Sequence, residues 1–348
     1  MAIVRHAGAQ TSVFTGGETH VREHLRIGVW RGERPPSVRC LHEHFVKSLL
    51  PTHALTDDAT AREQPSITCS RFDQHAHLKY HPPLLAGEVA LWQPDGWGQT
   101  RIGVLTPHAD IVPEAEFSAL APSGISIHAA RIPFGGYRPG GMMDPTIADD
   151  PVRAFADPPA VDDAAEMLAM APLHAIVFGF TSSSYVRGAA DDATLKSRLE
   201  VRTRGIPVVI PCAAAATALA TLSAKRIALI SPPWFSAEMA QQGVRYFQTQ
   251  GFEAVYSAPA GLPSDQQAIQ PDQLYNWVRS QVPKSAEAIF IGGNGFRAIG
   301  VINALEDSLD RPILTANQVA FWYALRLTGT RAPVVNYGRI FELDLPRS

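Results

Sequence analysis

The chain has 348 residues, 46% of them apolar, and a formal net charge of −3. That length exceeds one ordinary core and predicts two domains, while the weak acidity gives no reason to expect nucleic acid or an acidic membrane surface as a partner. No apolar run reaches the roughly 20 residues of a membrane span, the start shows no basic-then-apolar signal pattern, and Cys40, Cys69 and Cys212 are too scattered for a disulfide framework, which together predict a cytoplasmic location.

Residues 1–99 differ from the rest and are read as a largely irregular N-terminal extension. All histidines except His108, His128 and His174 lie there. His42-x-His44 and His75-x-His77, with His81 beyond, have the residue type of a zinc site, which needs three or four ligands fixed in space. The alternative is a poorly ordered extension with one packed stretch near 84–92; no metal is assigned.

From residue 101 the pattern becomes regular. A strand is expected over 101–106, a helix over 113–120 and a strand over 126–132. Residues 133–158 carry Gly135-Gly136, Gly140-Gly141 and several prolines without periodicity. They are expected to be irregular, as either a lid over a cleft or a surface insertion. A helix over 160–171, a strand over 175–180, an amphipathic helix over 189–204 and a strand over 207–210 follow. An Ala-rich helix over 213–222 leads onward. Strands are then expected over 227–231, 252–257, 288–292 and 312–315. Helices alternate with them over 236–250, 271–282 and 299–309, with a last helix over 319–328. The segment 336–341 is expected to pack back on the first lobe.

The chain repeats itself. Arg101-Ile102-Gly103-Val104-Leu105-Thr106-Pro107 returns as Arg226-Ile227-Ala228-Leu229-Ile230-Ser231-Pro232, and Ala175-Ile176-Val177-Phe178-Gly179 returns as Ala288-Ile289-Phe290-Ile291-Gly292. Pro207-Val208-Val209-Ile210 returns as Pro312-Ile313-Leu314-Thr315. Short apolar runs ending on Pro, Gly, Thr or Asn read as buried parallel strands. The fold class is therefore α/β, with two pseudo-symmetric lobes. Each is a four-stranded parallel sheet flanked by helices, spanning 100–222 plus 317–345 in the first lobe and 223–316 in the second. A cleft lined by strand ends is the usual ligand site in this class.

At the strand ends, Thr181-Ser182-Ser183-Ser184 offers hydroxyls and backbone N–H groups, and Gly293-Asn294-Gly295 is the equivalent turn in the second lobe. Facing each other, they could hold a carboxylate or a developing oxyanion; the plainer reading is that Ser and Thr only cap the next helix. Asp110 is read either as an N-cap or as a group that orients a ligand, and His108 as an acid or base near neutral pH. His128 and His174 read as structural. Cys212 opens a helix, as either an activated thiol or a packing residue.

These residues resemble the aspartate/glutamate racemase superfamily, in the branch of maleate cis-trans isomerase and arylmalonate decarboxylase. The resemblance covers about 101–341. It is carried by Gly103-Val104-Leu105-Thr106-Pro107, Thr181-Ser182-Ser183-Ser184-Tyr185-Val186-Arg187-Gly188, Gly205-Ile206-Pro207-Val208-Val209 and Ala288-Ile289-Phe290-Ile291-Gly292. Phe296-Arg297-Ala298, Ala316-Asn317-Gln318 and Tyr337-Gly338-Arg339-Ile340-Phe341 extend it. It implies two lobes with the site between them and no metal or organic cofactor. It also implies that the positions of the family's two catalytic cysteines are Phe180 and Gly293 here. Pro233, beside Trp234, stands for a carboxylate-binding tyrosine, and Asp110 stands for an asparagine. The expected ligand is a small carboxylic or dicarboxylic acid held by Thr181, Ser182, Ser183 and residues 293–295, with Phe180 and Pro233 as apolar walls. The expected activity is decarboxylase, lyase or isomerase chemistry with Asp110 or His108 carrying the proton, and not two-cysteine racemisation. The alternative is a non-catalytic carboxylate-binding or regulatory protein. A homo-oligomer is one expected assembly, since paired lobes of this kind often associate.

Overall fold

The computed structural model describes residues 95–138 and 142–346. The expected extension lies outside the described residues up to residue 94, and both histidine pairs lie outside them too.

Two four-stranded parallel sheets follow from the repeated apolar runs. The first has the order β2 (Ile125–Ile132), β1 (Thr100–Pro107), β3 (Ala175–Phe178), β4 (Val208–Val209). The second repeats that order as β6 (Glu253–Pro259), β5 (Arg226–Ser231), β7 (Ala288–Ile291), β8 (Ile313–Thr315). Even the register repeats: Ile102 to Leu105 pair with Ala175 to Phe178, and Ile227 to Ile230 pair with Ala288 to Ile291. Central β3 and β7 are buried along their whole length, as strands covered on both faces must be. In each sheet the chain leaves the first strand to one side and returns on the other. The ends of β1 and β3, and of β5 and β7, therefore flank two switch points, where a crevice forms.

Ten α-helices are described. The first lobe carries α1 (Val112–Leu120), α2 (Asp149–Ala156), α3 (Ala160–Leu168), α4 (Thr181–Arg187), α5 (Ala189–Arg202) and α6 (Pro211–Thr221). The remainder are α7 (Ala237–Thr249), α8 (Pro271–Gln281), α9 (Ile302–Leu309) and α10 (Ala316–Leu327). None is long and apolar enough to cross a membrane. α10 begins with a capping box between Thr315 and Gln318, three residues earlier than the apolar pattern suggests, and packs on α6 and α1. The segment after it straps α10: Trp322 Nε1 and Arg326 Nε both donate to the Leu343 carbonyl, and Phe341 stacks edge-on against Phe321.

Two helices depart from the sequence reading. α2 lies inside the stretch expected to be irregular; its two turns bury Val152, Phe155 and Ala156. α4 replaces the expected hydroxyl-bearing turn. Strand β3 ends at Phe178, and Thr181 to Val186 are all buried in the helix that follows. Serine disfavours helix interiors in isolation, so packing rather than propensity holds α4. Its main partner is α7 of the second lobe, where Gly243 lies under the Tyr185 ring.

A Cβ added at Gly243 would stand 2.6 Å from Tyr185 Cε2. Gly243→Ala is expected to lower unfolding stability by about 1–3 kcal/mol through overpacking, although Gly to Ala in an uncrowded helix stabilises. Urea denaturation measures this; an unchanged midpoint would mean that the α4–α7 contact is loose.

Candidate functional site

The two crevices meet at one small cavity of about 30 Å³. The first lobe contributes Pro107 at the end of β1, Asp110 beyond it, and Gly179 to Ser182 after β3. Trp234 and Phe235 after β5, with Gly293 to Gly295 after β7, come from the second lobe. Phe134, Tyr137, Met143 and Ile147, from the stretch expected to be irregular, cover it. The cover is tied to both lobes: Phe134 N–H donates to His108 Nδ1 at 3.1 Å, Ile147 N–H donates to the Trp234 carbonyl at 3.0 Å, and the Ser264 hydroxyl donates to the Pro145 carbonyl at 3.1 Å. Arg138 pairs with Asp144 across it at 2.7 Å.

The start of α4 and the polar turn after β7 touch each other. Asn294 Oδ1 accepts from the Thr181 N–H at 2.8 Å and from the Thr181 hydroxyl at 2.5 Å. Asn294 Nδ2 donates to Asn317 Oδ1 at 2.8 Å, and Asn317 Nδ2 donates to Glu116 Oε2 at 2.7 Å. Glu116 Oε1 in turn accepts from the N–H groups of Ala298 at 2.7 Å and Ile299 at 3.1 Å. Burial pushes the Glu116 carboxyl up to about 7, against the pull of these three donors. Both donor groups of Thr181 are therefore engaged within the protein.

Asp110 has a double place. Its Oδ1 accepts from Val112 N–H at 3.0 Å at the start of α1, and its backbone carbonyl accepts from Arg131 Nη1 at 3.0 Å. Its Oδ2 faces Gly295, where an added Cβ would stand 2.6 Å away; only glycine fits there. Burial raises the Asp110 carboxyl to about 6, with the Val112 N–H, the neighbouring Gln266 amide and Arg131 opposing the rise. Gln266 Nε2 is buried there without a hydrogen-bond partner among the described residues.

Of the sequence-expected residues, Asp110, Phe180, Thr181, Ser182, Gly293, Asn294 and Gly295 line the cavity. Among the described residues, no acceptor is found for the Ser182 hydroxyl or for the N–H groups of residues 293–295. Ser183, His108 and Pro233 do not line it. The Ser183 hydroxyl turns back to the Phe180 carbonyl at 3.2 Å, because α4 points it away from the crevice. His108 is exposed and holds the Phe134 N–H. Pro233 is displaced from the wall by Trp234, which is buried against Phe296. Phe180 is buried in an aromatic cluster with Phe134, Phe155 and Phe178. Cys212 is buried behind Thr181, and burial pushes its thiol well above the ordinary range, which favours the packing reading. Among the described residues, no group of three or more His, Cys, Asp and Glu could hold a metal.

Sequence reasoning missed Glu116, Asn317, Tyr137 and Gln266. Glu116 carried a signal: Val112, Glu116 and Leu120 form the buried stripe of α1, where a carboxylate is out of place. A wider cleft of about 750 Å³ lies beside the cavity between α1 and the second lobe, lined by Ile111, Ala115, Glu116, Gln266 and Arg297, with Met143 as a shared wall.

The fold and the crevice between its lobes place the protein among two-lobed α/β proteins with an interlobe site. The family model for arylmalonate decarboxylase matches residues 156–341, more than half of the chain, and the chain belongs to that family. Among solved structures, the maleate isomerase Iso from Pseudomonas putida S16 with maleate is 19% identical with a TM-score of 0.61, covering 70% of this chain and 97% of its own. A Nocardia farcinica maleate cis-trans isomerase carrying a covalently bound succinylcysteine intermediate is 20% identical with a TM-score of 0.60, covering 70% of this chain and 98% of its own. An arylmalonate decarboxylase is 21% identical with a TM-score of 0.57, covering 70% of this chain and 99% of its own. At these identities the likeness is one of fold. No curated protein sequence matches the chain.

Gly293 adopts φ +91°, and a Cβ there would lie 2.2 Å from Pro232 Cγ. Gly293→Cys is thus expected to lower the melting temperature and to create no thiol-dependent turnover, because both backbone and neighbour resist a side chain. A stable, thiol-active variant would show that the turn relaxes. The Asp110 carboxyl lies above its unfolded value, so the folded state binds more protons and loses stability as pH rises through that window. Between pH about 4 and about 6 the wild type is expected to lose more stability than Asp110→Asn; equal losses in thermal melts would remove Asp110 as the titrating group.

Proposed function

We propose that the protein is a cofactor-independent enzyme acting on a small carboxylic acid, with a proton transfer beside the carboxylate carried by Asp110 and not by a thiol. The observation that carries this reading is a buried carboxyl, raised to about 6, on the wall of a cavity that is also lined by Ser182 and by residues 293–295, whose N–H groups have no acceptor among the described residues. Family membership supports the same class of chemistry, since relatives of this fold include a decarboxylase and isomerases.

The roles follow from position. Ser182 and the 293–295 amides grip the carboxylate, as fixed dipoles do for an anion. With the ligand carboxylate held there, ionised Asp110 takes a proton from the carbon next to it, the electron pair passes into the carboxylate as an enediolate held by the same dipoles, and the Asp110 carboxyl returns the proton to that carbon. Phe180 and Phe134 keep water away and raise the worth of each polar contact. Because about 30 Å³ is far below the usual ligand pocket, the cover formed by Phe134, Tyr137, Met143 and Ile147 opens to admit the ligand, whose larger part lies in the adjoining wide cleft. His108 acts as the hinge-side anchor of that cover.

A second reading is a binding protein that lost its chemistry. It is favoured by one observation, that Thr181 spends its donors on Asn294. Turnover separates the two. A thermal-shift screen of small carboxylic acids identifies a ligand, and product formation is then followed by NMR. Asp110→Asn is expected to keep the shift and lose turnover by about 100-fold or more, and the wild-type rate is expected to change with an apparent value near about 6. Turnover unchanged in Asp110→Asn would remove Asp110 from the mechanism; ligand binding without product would favour the second reading.

A further inference from the structure

We infer that the Asn294 side chain stands in for one carboxylate of a ligand, so that the site takes monocarboxylic acids and excludes malonate-type and maleate-type dicarboxylic acids. The inference rests on the carboxylate reading of this site and narrows its substrate class.

Its ground is the pairing of Thr181. A backbone N–H and a hydroxyl at the start of α4 converge on one oxygen, as they would on a carboxylate oxygen, and that oxygen belongs to Asn294. The amide cannot simply turn away. Its Nδ2 is held by Asn317 Oδ1, while Asn317 Nδ2 donates both to the Asn294 carbonyl at 2.9 Å and to Glu116. Rotating Asn317 by half a turn would bring its carbonyl oxygen against the Glu116 carboxyl, and Glu116 is itself pinned by two N–H groups. Thr181, Asn294 and Asn317 are each at most 3% exposed, so displacing Asn294 leaves buried polar groups without partners.

The free volume matches one carboxylate. The cavity of about 30 Å³ has room for about two water-sized oxygens. Among the described residues, the donors around it without a partner are the Tyr137 and Ser182 hydroxyls and the N–H groups of residues 293–295. A second carboxylate on the same or the adjacent carbon would meet Asp110 and the Phe180 ring, one repelling its charge and the other removing its water.

The test compares matched acids on the full chain by calorimetry and thermal shift: acetate against malonate, and phenylacetate against phenylmalonate. The wild type is expected to bind the monocarboxylates at least about tenfold more tightly than their partners. Asn294→Gly, which empties the Thr181 donors, is expected to raise affinity for the dicarboxylates by about tenfold. Asn294→Ala serves as a second variant, and melting without ligand reports whether each is folded. Dicarboxylates bound by the wild type as tightly as monocarboxylates would overturn the inference while leaving the carboxylate reading intact. Folded variants that still reject dicarboxylates would also overturn it. Failure of every acid to bind the wild type would overturn the carboxylate reading itself, and the inference with it. If neither variant folds, the wild-type comparison alone decides.

Discussion

The structure depends on one line of buried hydrogen bonds that crosses from lobe to lobe: Thr181 to Asn294, Asn294 to Asn317, Asn317 to Glu116, and Glu116 to the N–H groups of Ala298 and Ile299. Each member is buried, so a partner inside the protein is needed in place of bulk water. The two crevices at the sheet switch points are thereby held in register. The same line uses up the donors that a second anionic group would need. On the inferred reading, stability and selectivity rest on one set of contacts.

Around that line the cavity is built from opposites. One wall is aromatic, with Phe134 and Phe180 in edge contact at 5.0 Å. Another is the Asp110 carboxyl, which burial makes reluctant to ionise. The third is glycine-rich backbone at residues 293–295, and the lack of side chains is required there. A Cβ at 293 would strike Pro232, and one at 295 would strike Asp110 and Gln266. On the proposed reading proton chemistry falls to the Asp110 carboxyl, because the one cysteine among the described residues, Cys212, is buried behind the wall, and burial pushes its thiol well above the ordinary range.

The architecture was legible in the sequence because central parallel strands need unbroken apolar runs. Arg101 to Pro107 and Arg226 to Pro232 show that run twice, and β1 and β5 form where they lie. The strand ends that line the cavity were legible for the same reason. Helix α4 was not, since Thr and Ser side chains compete with the backbone and only burial against α7 overrides them. The direction of the hydroxyls was not either: Ser182 and Ser183 are adjacent in the chain, yet helical geometry sends one to the cavity and the other back to Phe180.

By itself the sequence determined two repeated α/β halves, the strand ends on which a site would sit, and the absence of cysteine at positions 180 and 293. Local pattern and composition suffice for these, because periodicity, turn residues and residue identity are properties of neighbouring positions. Only the tertiary structure decided that Thr181 and Asn294 would join, that Glu116 would stand behind them, and that Asp110 would lose its water. Hydrogen-bond pairing across 113 residues and the desolvation of a carboxyl depend on which surfaces meet when the lobes close, and no stretch of chain contains both partners.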